Sequence, residues 1–174
     1  TIKRSMYIWS RAFNDYSFYY IETYLTTNNI STAIVSSSNK TAFNQLLLDL
    51  SNAGTEVELL IGDNRLLTDT NPVAYLDNIL STVDITKLHT VHLDIEPYSS
   101  SFPDYRSRES YYQNLYINLL KTTKTYLNQK GMKLSVSIPV FYPKNTLKEI
   151  YKQADTVYVM AYQITSMNYL ADRL

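Results

Sequence analysis

"HTVHLDIEPY", residues 89–98, is the stretch that decides how the chain is read. Side chains alternate across an extended strand, so Val91, Leu93 and Ile95 share one face while His92, Asp94 and Glu96 share the other. An otherwise apolar strand that aims an imidazole and two carboxylates one way is costly unless those groups are paired, neutral or put to use. Pro97 has no N–H for a ladder, so the strand is expected to end there and leave Glu96 at its C-terminal rim. Asp94 is expected one same-face position deeper, roughly 6–7 Å away.

Outward from that stretch the same pattern recurs. "SMYIW" (5–9), "ISTAIVSS" (30–37), "EVELLIG" (56–62), "MKLSVSIPVF" (132–141) and "DTVYVMAYQ" (155–163) read as the other strands. Between them apolar residues fall at helical spacing: Phe18, Ile21 and Leu25, then Phe43, Leu46, Leu47 and Leu50, with Gly54 as a stop. Asn71-Pro72 opens a helix through Leu76 and Leu80. A long helix carries Tyr112 to Leu127 and ends before Gly131, and a shorter one surrounds Leu147, Ile150 and Tyr151.

Strands rich in Val, Ile and Leu that alternate with helices predict a parallel sheet covered by helices. The expected fold class is α/β, of the (β/α)₈ TIM-barrel type, with about six strand–helix units in a single domain over residues 1–174. The last two strands of a barrel are expected to be missing. An open doubly wound sheet is the alternative. Only three glycines are present, and no Gly-x-Gly-x-x-Gly or Walker loop follows a strand, which weakens a nucleotide-binding reading.

Composition narrows the function further. The 174 residues are 45% hydrophobic, enough for a real core. Sixteen basic and sixteen acidic residues cancel, so bulk charge recruits neither nucleic acid nor an anionic membrane. There is no cysteine, hence no disulfide framework and no thiolate nucleophile. No apolar run reaches the roughly 18 residues of a membrane span. The chain starts at Thr1 rather than Met, as a processed product or a cut segment would. Seventeen tyrosines suit sugar-stacking surfaces, and an AT-rich coding sequence would produce the same excess. No feature assigns a compartment, with a secreted or cell-surface setting preferred.

Two carboxyl groups at a strand end can divide the labour of glycoside hydrolysis. One protonates the leaving oxygen and the other steadies the positive charge that develops on the sugar. A rim salt bridge or a helix-capping acid would use the same residues. A metal site is a weaker reading. The chain has only two histidines, and His89 faces away from His92, so the ligands would be mainly oxygen. No metal and no cofactor are expected. Trp9, Tyr98, Phe141 and Tyr142 sit at strand ends, where aromatic faces can line a sugar site or simply pack a loop. Asp63 and Asn64, after the third strand, could bind hydroxyls or start a turn.

"HLDIE" on the fourth strand and "VMAYQ" on the sixth resemble the family 18 glycoside hydrolases, the chitinases, endo-N-acetylglucosaminidases and related lectins on a (β/α)₈ barrel. Their fourth-strand signature ends Asp-x-Asp-x-Glu, of which Asp94 and Glu96 match the last two acids. Their sixth-strand Met-x-Tyr-Asp is matched by Met160 and Tyr162. The resemblance implies that Glu96 donates the proton to the glycosidic oxygen. It implies that Asp94 orients the substrate's own N-acetyl group as nucleophile, and that Tyr162 bonds that group. It implies an oligosaccharide or polysaccharide containing N-acetylglucosamine or a related N-acetylhexosamine as partner.

The sequence departs from that pattern where His92 replaces an aspartate, where Gln163 replaces the last aspartate of the sixth-strand motif, and where strands seven and eight are absent. His92 is read either as an imidazolium that holds Asp94 ionised or as an inward polar residue satisfied by hydrogen bonds. With Gln163, it is a candidate substrate contact. A partner chain or a missing C-terminal segment is expected to complete the barrel. A non-catalytic glycan-binding barrel and a scaffold domain stand as alternatives to hydrolysis.

Overall fold

The computed structural model describes residues 2–162 and 164–173. Six strands form one sheet in the order β1-β2-β3-β4-β5-β6. They are β1 (Ser5–Ile8), β2 (Thr32–Ser36), β3 (Glu56–Ile61), β4 (Thr90–Leu93), β5 (Lys133–Pro139) and β6 (Thr156–Met160). The helices are α1 (Ala12–Asp15), α2 (Phe18–Thr27), α3 (Lys40–Asn52), α4 (Pro72–Leu80), α5 (Glu109–Gln129), α6 (Lys144–Gln153) and α7 (Met167–Arg173). Strand order that follows chain order, with helices between, is the α/β, (β/α)₈ TIM-barrel type of fold with six strand–helix units. The pairing is parallel, with Ser5 opposite Thr32, Thr32 opposite Glu56, and Ser135 opposite Thr156.

Local chemistry sets the element boundaries. The short α1 ends at Tyr16, whose backbone is extended, and the helix that carries Phe18, Ile21 and Leu25 starts under a Ser17 cap that accepts from Tyr20 N at 3.2 Å. Asn39 caps α3 by accepting from Ala42 N at 3.0 Å. Gly54 lies at φ +81° and Gly131 at φ +68°, the left-handed conformation that lets Thr55 N and Met132 N bond back to Leu50 O and Leu127 O, each at 2.9 Å. Pro72 begins α4, where its missing N–H costs nothing.

The fourth strand is shorter than the sequence predicts. It ends at Leu93, so Asp94 and Glu96 lie on the connection that follows rather than on the strand itself. The reason is that the Glu96 N–H does not extend a ladder but donates to a side chain, Asn64 Oδ1, at 2.7 Å.

The chain divides into two compact units, Thr1–Ile61 with Ala74–His92, and Gly62–Val73 with Leu93–Leu174. In the first, Ile34, Val35, Phe43, Leu46 and Leu47 are fully buried where α3 and its neighbouring strands meet. In the second, Leu120 and Leu127 of α5 and Leu134, Val136 and Ile138 of β5 are fully buried. Each such side chain is worth roughly 1.5–3 kcal/mol on burial. Among the described residues no helix is long and apolar enough to cross a membrane.

Candidate active site

Glu96 is held from both ends of one amide. Asn64 starts a short 3-10 helix (Asn64–Thr68) that follows β3 in the chain. Its Oδ1 accepts from Glu96 N, and its Nδ2 donates to Ser99 Oγ at 3.0 Å. Ser99 N in turn donates to Glu96 O at 3.0 Å, which closes the turn over Pro97 and Tyr98. The position of the Glu96 backbone is thus set by a residue 32 places upstream. Asn64 was a candidate for binding hydroxyls; the structure spends its amide inside the protein instead. Asp63, its companion, caps the 3-10 helix and pairs with the exposed Arg65 at 2.7 Å.

The carboxylates share a pocket of phenols. Burial, then the charges of Glu96 and Asp94, push the Tyr98 phenol well above the usual tyrosine range. Tyr116 is fully buried, and burial followed by the Asp94 charge does the same to its hydroxyl, which finds no hydrogen-bond partner among the described residues. Tyr98 and Tyr116 therefore stay protonated at any physiological pH and act as O–H donors or dipoles, never as bases. Asp94 and Glu96 are each half-buried, while Ile95 between them is buried. The alternation predicted for this stretch persists after the strand has ended.

Other predicted residues fall differently. Tyr142 is completely buried, so it cannot wall a surface cleft. It packs at 6.3 Å from Tyr98 and 6.1 Å from Tyr116, with its phenol raised by burial. Its neighbour Phe141 is the half-exposed ring, edge-on to Tyr98 at 5.1 Å. The pair was legible as aromatic, but which of two adjacent rings turns outward was not. Tyr162 follows β6 and is 74% exposed. Gln163 lies outside the described residues.

Trp9 and His92 belong to the other compact unit. Trp9 is 49% exposed and stacks on Tyr7 at 6.4 Å. His92 is wholly buried, with Nδ1 at 2.9 Å from Glu58 Oε2 and Tyr7 edge-on at 5.6 Å. Glu58 is a partner that sequence reasoning missed. It sits on a same-face position of β3, and an acid in a run as apolar as "EVELLI" was the available signal. Among the described residues no group of three or more His, Asp or Glu side chains is placed to hold a metal ion.

The alternation of parallel strands and helices is of the (β/α)-barrel type, and several solved structures share it. The chain is similar to the spore cortex-lytic enzyme SleL of Bacillus megaterium, with a TM-score of 0.69 at 15% identity over 99% of this chain and 48% of that one. It is also similar to a family 18 chitinase from Cycas revoluta, solved with allosamidin, with a TM-score of 0.58 at 11% identity over 95% and 56% of the two chains. A D-psicose 3-epimerase reaches a TM-score of 0.59 at 12% identity, covering 95% and 67%. At such identities the likeness is one of fold. The chain spans about half the length of the SleL and Cycas structures. No family profile matches it, and no curated protein matches it in sequence.

Proposed function

We propose that the chain forms the part of a glycoside hydrolase that carries its proton donor, and that the substrate is a glycan containing N-acetylhexosamine. The observation that supports this most is the fixing of Glu96. Its backbone N–H is tied to Asn64 and its carboxylate stands close enough to the Tyr98 phenol to shift it, two residues after a second half-buried acid. The allosamidin complex of the Cycas chitinase, on a similar fold, adds support for a saccharide-like ligand.

In this reading the Glu96 carboxyl gives its proton to the glycosidic oxygen as the bond from that oxygen to the anomeric carbon breaks. The carbonyl oxygen of the substrate's acetamido group forms the new bond to the anomeric carbon, with Asp94 orienting the amide and Tyr162 bonding it. Water then attacks the anomeric carbon as the bond from that carbon to the acetamido oxygen breaks, freeing the acetamido group, and the water gives a proton back to the Glu96 carboxylate. The two inversions retain configuration without an enzyme nucleophile, the substrate-assisted exception to the two-carboxylate scheme.

The same reading asks for further strand–helix units beside β1. A groove of about 440 Å³ runs along β1 and α2, and Trp9, Tyr16, Tyr20 and Tyr24 on its walls remain about half exposed. A sheet edge next to so much aromatic surface is association-prone unless covered. A strand and helix from a longer polypeptide or a partner chain would cover it.

The test is hydrolysis of fluorogenic N-acetylglucosamine oligomers by the chain and by its Glu96→Gln variant, after both show a cooperative melt. Turnover lost in the variant supports the assignment of the acid. Turnover retained in the variant removes it. A folded chain that binds the oligomers without cleaving them would favour the lectin-like reading.

A further inference from the structure

The zero net charge of the chain conceals a segregation. Residues 62–98 hold six acidic and two basic residues, whereas residues 121–153 hold seven lysines and one glutamate. Six of those seven lysines are exposed. Lys144, Lys148 and Lys152 recur every fourth residue, so they share one face of α6 and stand about 6 Å apart along its axis. Lys124 is paired with Asp155 and Lys152 with Glu149, each at 2.5 Å. Lys121, Lys144 and Lys148 form no ion pair among the described residues.

A groove of about 750 Å³ runs between α5 and α6, and its walls are polar where two packed helices would be apolar. Asn114, Asn118 and Lys121 of α5 and Asn145 of α6 are exposed along it, and their side chains bond no group among the described residues. Gln113 supplies a fixed wall. Only 9% exposed, it donates from Nε2 to the Tyr105 hydroxyl at 3.2 Å and accepts at Oε1 from Thr146 Oγ1 at 2.8 Å. Glu149 is the one acid on the walls, and Lys152 neutralises it. Lys144 and Lys148 each adjoin a wall residue in the chain, Asn145 and Glu149.

Amides in a groove edged by unpaired ammonium groups match a polymer that is both hydroxyl-rich and negatively charged. Each amide offers two donors and an acceptor to hydroxyls, and each lysine meets a carboxylate or phosphate as a point charge. Nucleic acid fits less well. Residues 109–172 contain no arginine for a bidentate fork, and no aromatic ring lines the groove for a base to stack on. An anionic membrane fits less well too, because Leu147 and Ile150 of α6 are buried inside the protein instead of free to insert. We propose that the α5–α6 groove binds an anionic polysaccharide, whose carboxylate or phosphate groups meet Lys121, Lys144 and Lys148 and whose hydroxyls bond Asn114 and Asn118. The proposal draws nothing from the turn that holds Glu96, so it stands or falls separately from hydrolysis.

The experiment is calorimetric titration of the whole chain with five polymers. Polygalacturonate carries carboxylates and hydroxyls, phosphomannan carries phosphates and hydroxyls, polyphosphate carries charge alone, dextran carries hydroxyls alone, and duplex DNA represents nucleic acid. At least one of the two anionic glycans is expected to bind tighter than the other three polymers, and to weaken about tenfold between about 50 and 200 mM salt. Lys121→Gln combined with Lys148→Gln should weaken that binding about tenfold, and the corresponding pair of Lys→Arg changes should restore it. Asn114→Ala combined with Asn118→Ala should weaken it about three- to tenfold and leave polyphosphate unaffected. Every substituted side chain is exposed, so the melts should not move. Lys40→Gln on α3 is the control and should change binding less than about twofold. The proposal is overturned if neither glycan binds at the lower salt, if polyphosphate or DNA binds tighter than both glycans, or if the asparagine pair has no effect.

Discussion

The groove along β1 and α2 and the groove beside Tyr98 are similar in size, about 440 and 480 Å³, and both are walled by tyrosine. In the first the rings form a ladder that starts ahead of α2 and runs onto it, Tyr16 on Tyr20 at 4.9 Å and Tyr20 near Tyr24 at 6.4 Å, and the charges nearby, Arg11 and Asp15, are consumed in a 3.2 Å pair with each other. In the second a half-buried phenol stands beside a carboxylate whose backbone is tied down. Aromatic surface by itself supports association. Aromatic surface joined to a positioned acid supports chemistry, because rate comes from groups held in place before the substrate arrives.

The largest effect that would break this comparison is at Glu96. Glu96→Gln keeps the shape and loses the proton, and turnover on chitooligosaccharides is expected to fall by about 10²–10⁴-fold, the range of general acid catalysis. Asn64→Ala comes next. It strands the Glu96 N–H and frees the turn, so kcat should fall by about ten- to a hundredfold with little change in KM, as small misplacements of a reacting group do. Asn64→Asp, which keeps the acceptor and loses the donor to Ser99, should recover part of the loss. Equal loss in both variants would mean that the acceptor is not what positions Glu96.

Tyr98→Phe removes the hydroxyl dipole beside the two carboxylates, and about a tenfold loss of turnover is expected. In the native chain the raised phenol of Tyr98 should still be protonated at pH 10, where an absorbance titration would count it among the non-ionising tyrosines. The double variant Tyr20→Ser, Tyr24→Ser is expected to leave turnover within about twofold, as substitutions of exposed residues usually do. It should lower self-association in sedimentation runs. A large loss of turnover there would erase the distinction between the two grooves.

The smallest effect lies at Glu22 on α2, whose carboxyl is raised to about 7, first by burial and then by its hydrogen bond and charge repulsion with Asp49. The folded state holds this proton more tightly than the unfolded chain does. The contribution is therefore fully present below about pH 4.5 and is lost as pH rises to about 7. Asp49, held low by hydrogen bonds from Gln45 and then Glu22, moves the opposite way and partly offsets it. Glu22→Gln should flatten the pH dependence of Tm across that window.

What the sequence reveals follows from the range of the forces involved. The alternation in "HTVHLDIEPY" exposed both the buried face and the paired acids, because strand periodicity is a local property. The glycine stops and the Pro72 start were legible for the same reason. The end of β4 was not, since Pro97 marks only the latest place where the ladder could stop, and the actual stop is an amide 32 residues away. His92 shows the same limit. Its polarity and inward aim could be read, but its partner Glu58 is 34 residues distant, and only the pairing of strands could name it.

The Asn64 bridge has a consequence for protein engineering. "DIE" looks portable, a three-letter cassette to be moved onto another scaffold. Yet the geometry that makes its glutamate useful is stored in a different loop, so a graft of the cassette alone would carry the letters without the address. Conversely, the first asparagine after "LLIGD" is a handle on Glu96 that never touches its carboxyl, a place to tune the proposed acid while its side chain stays intact.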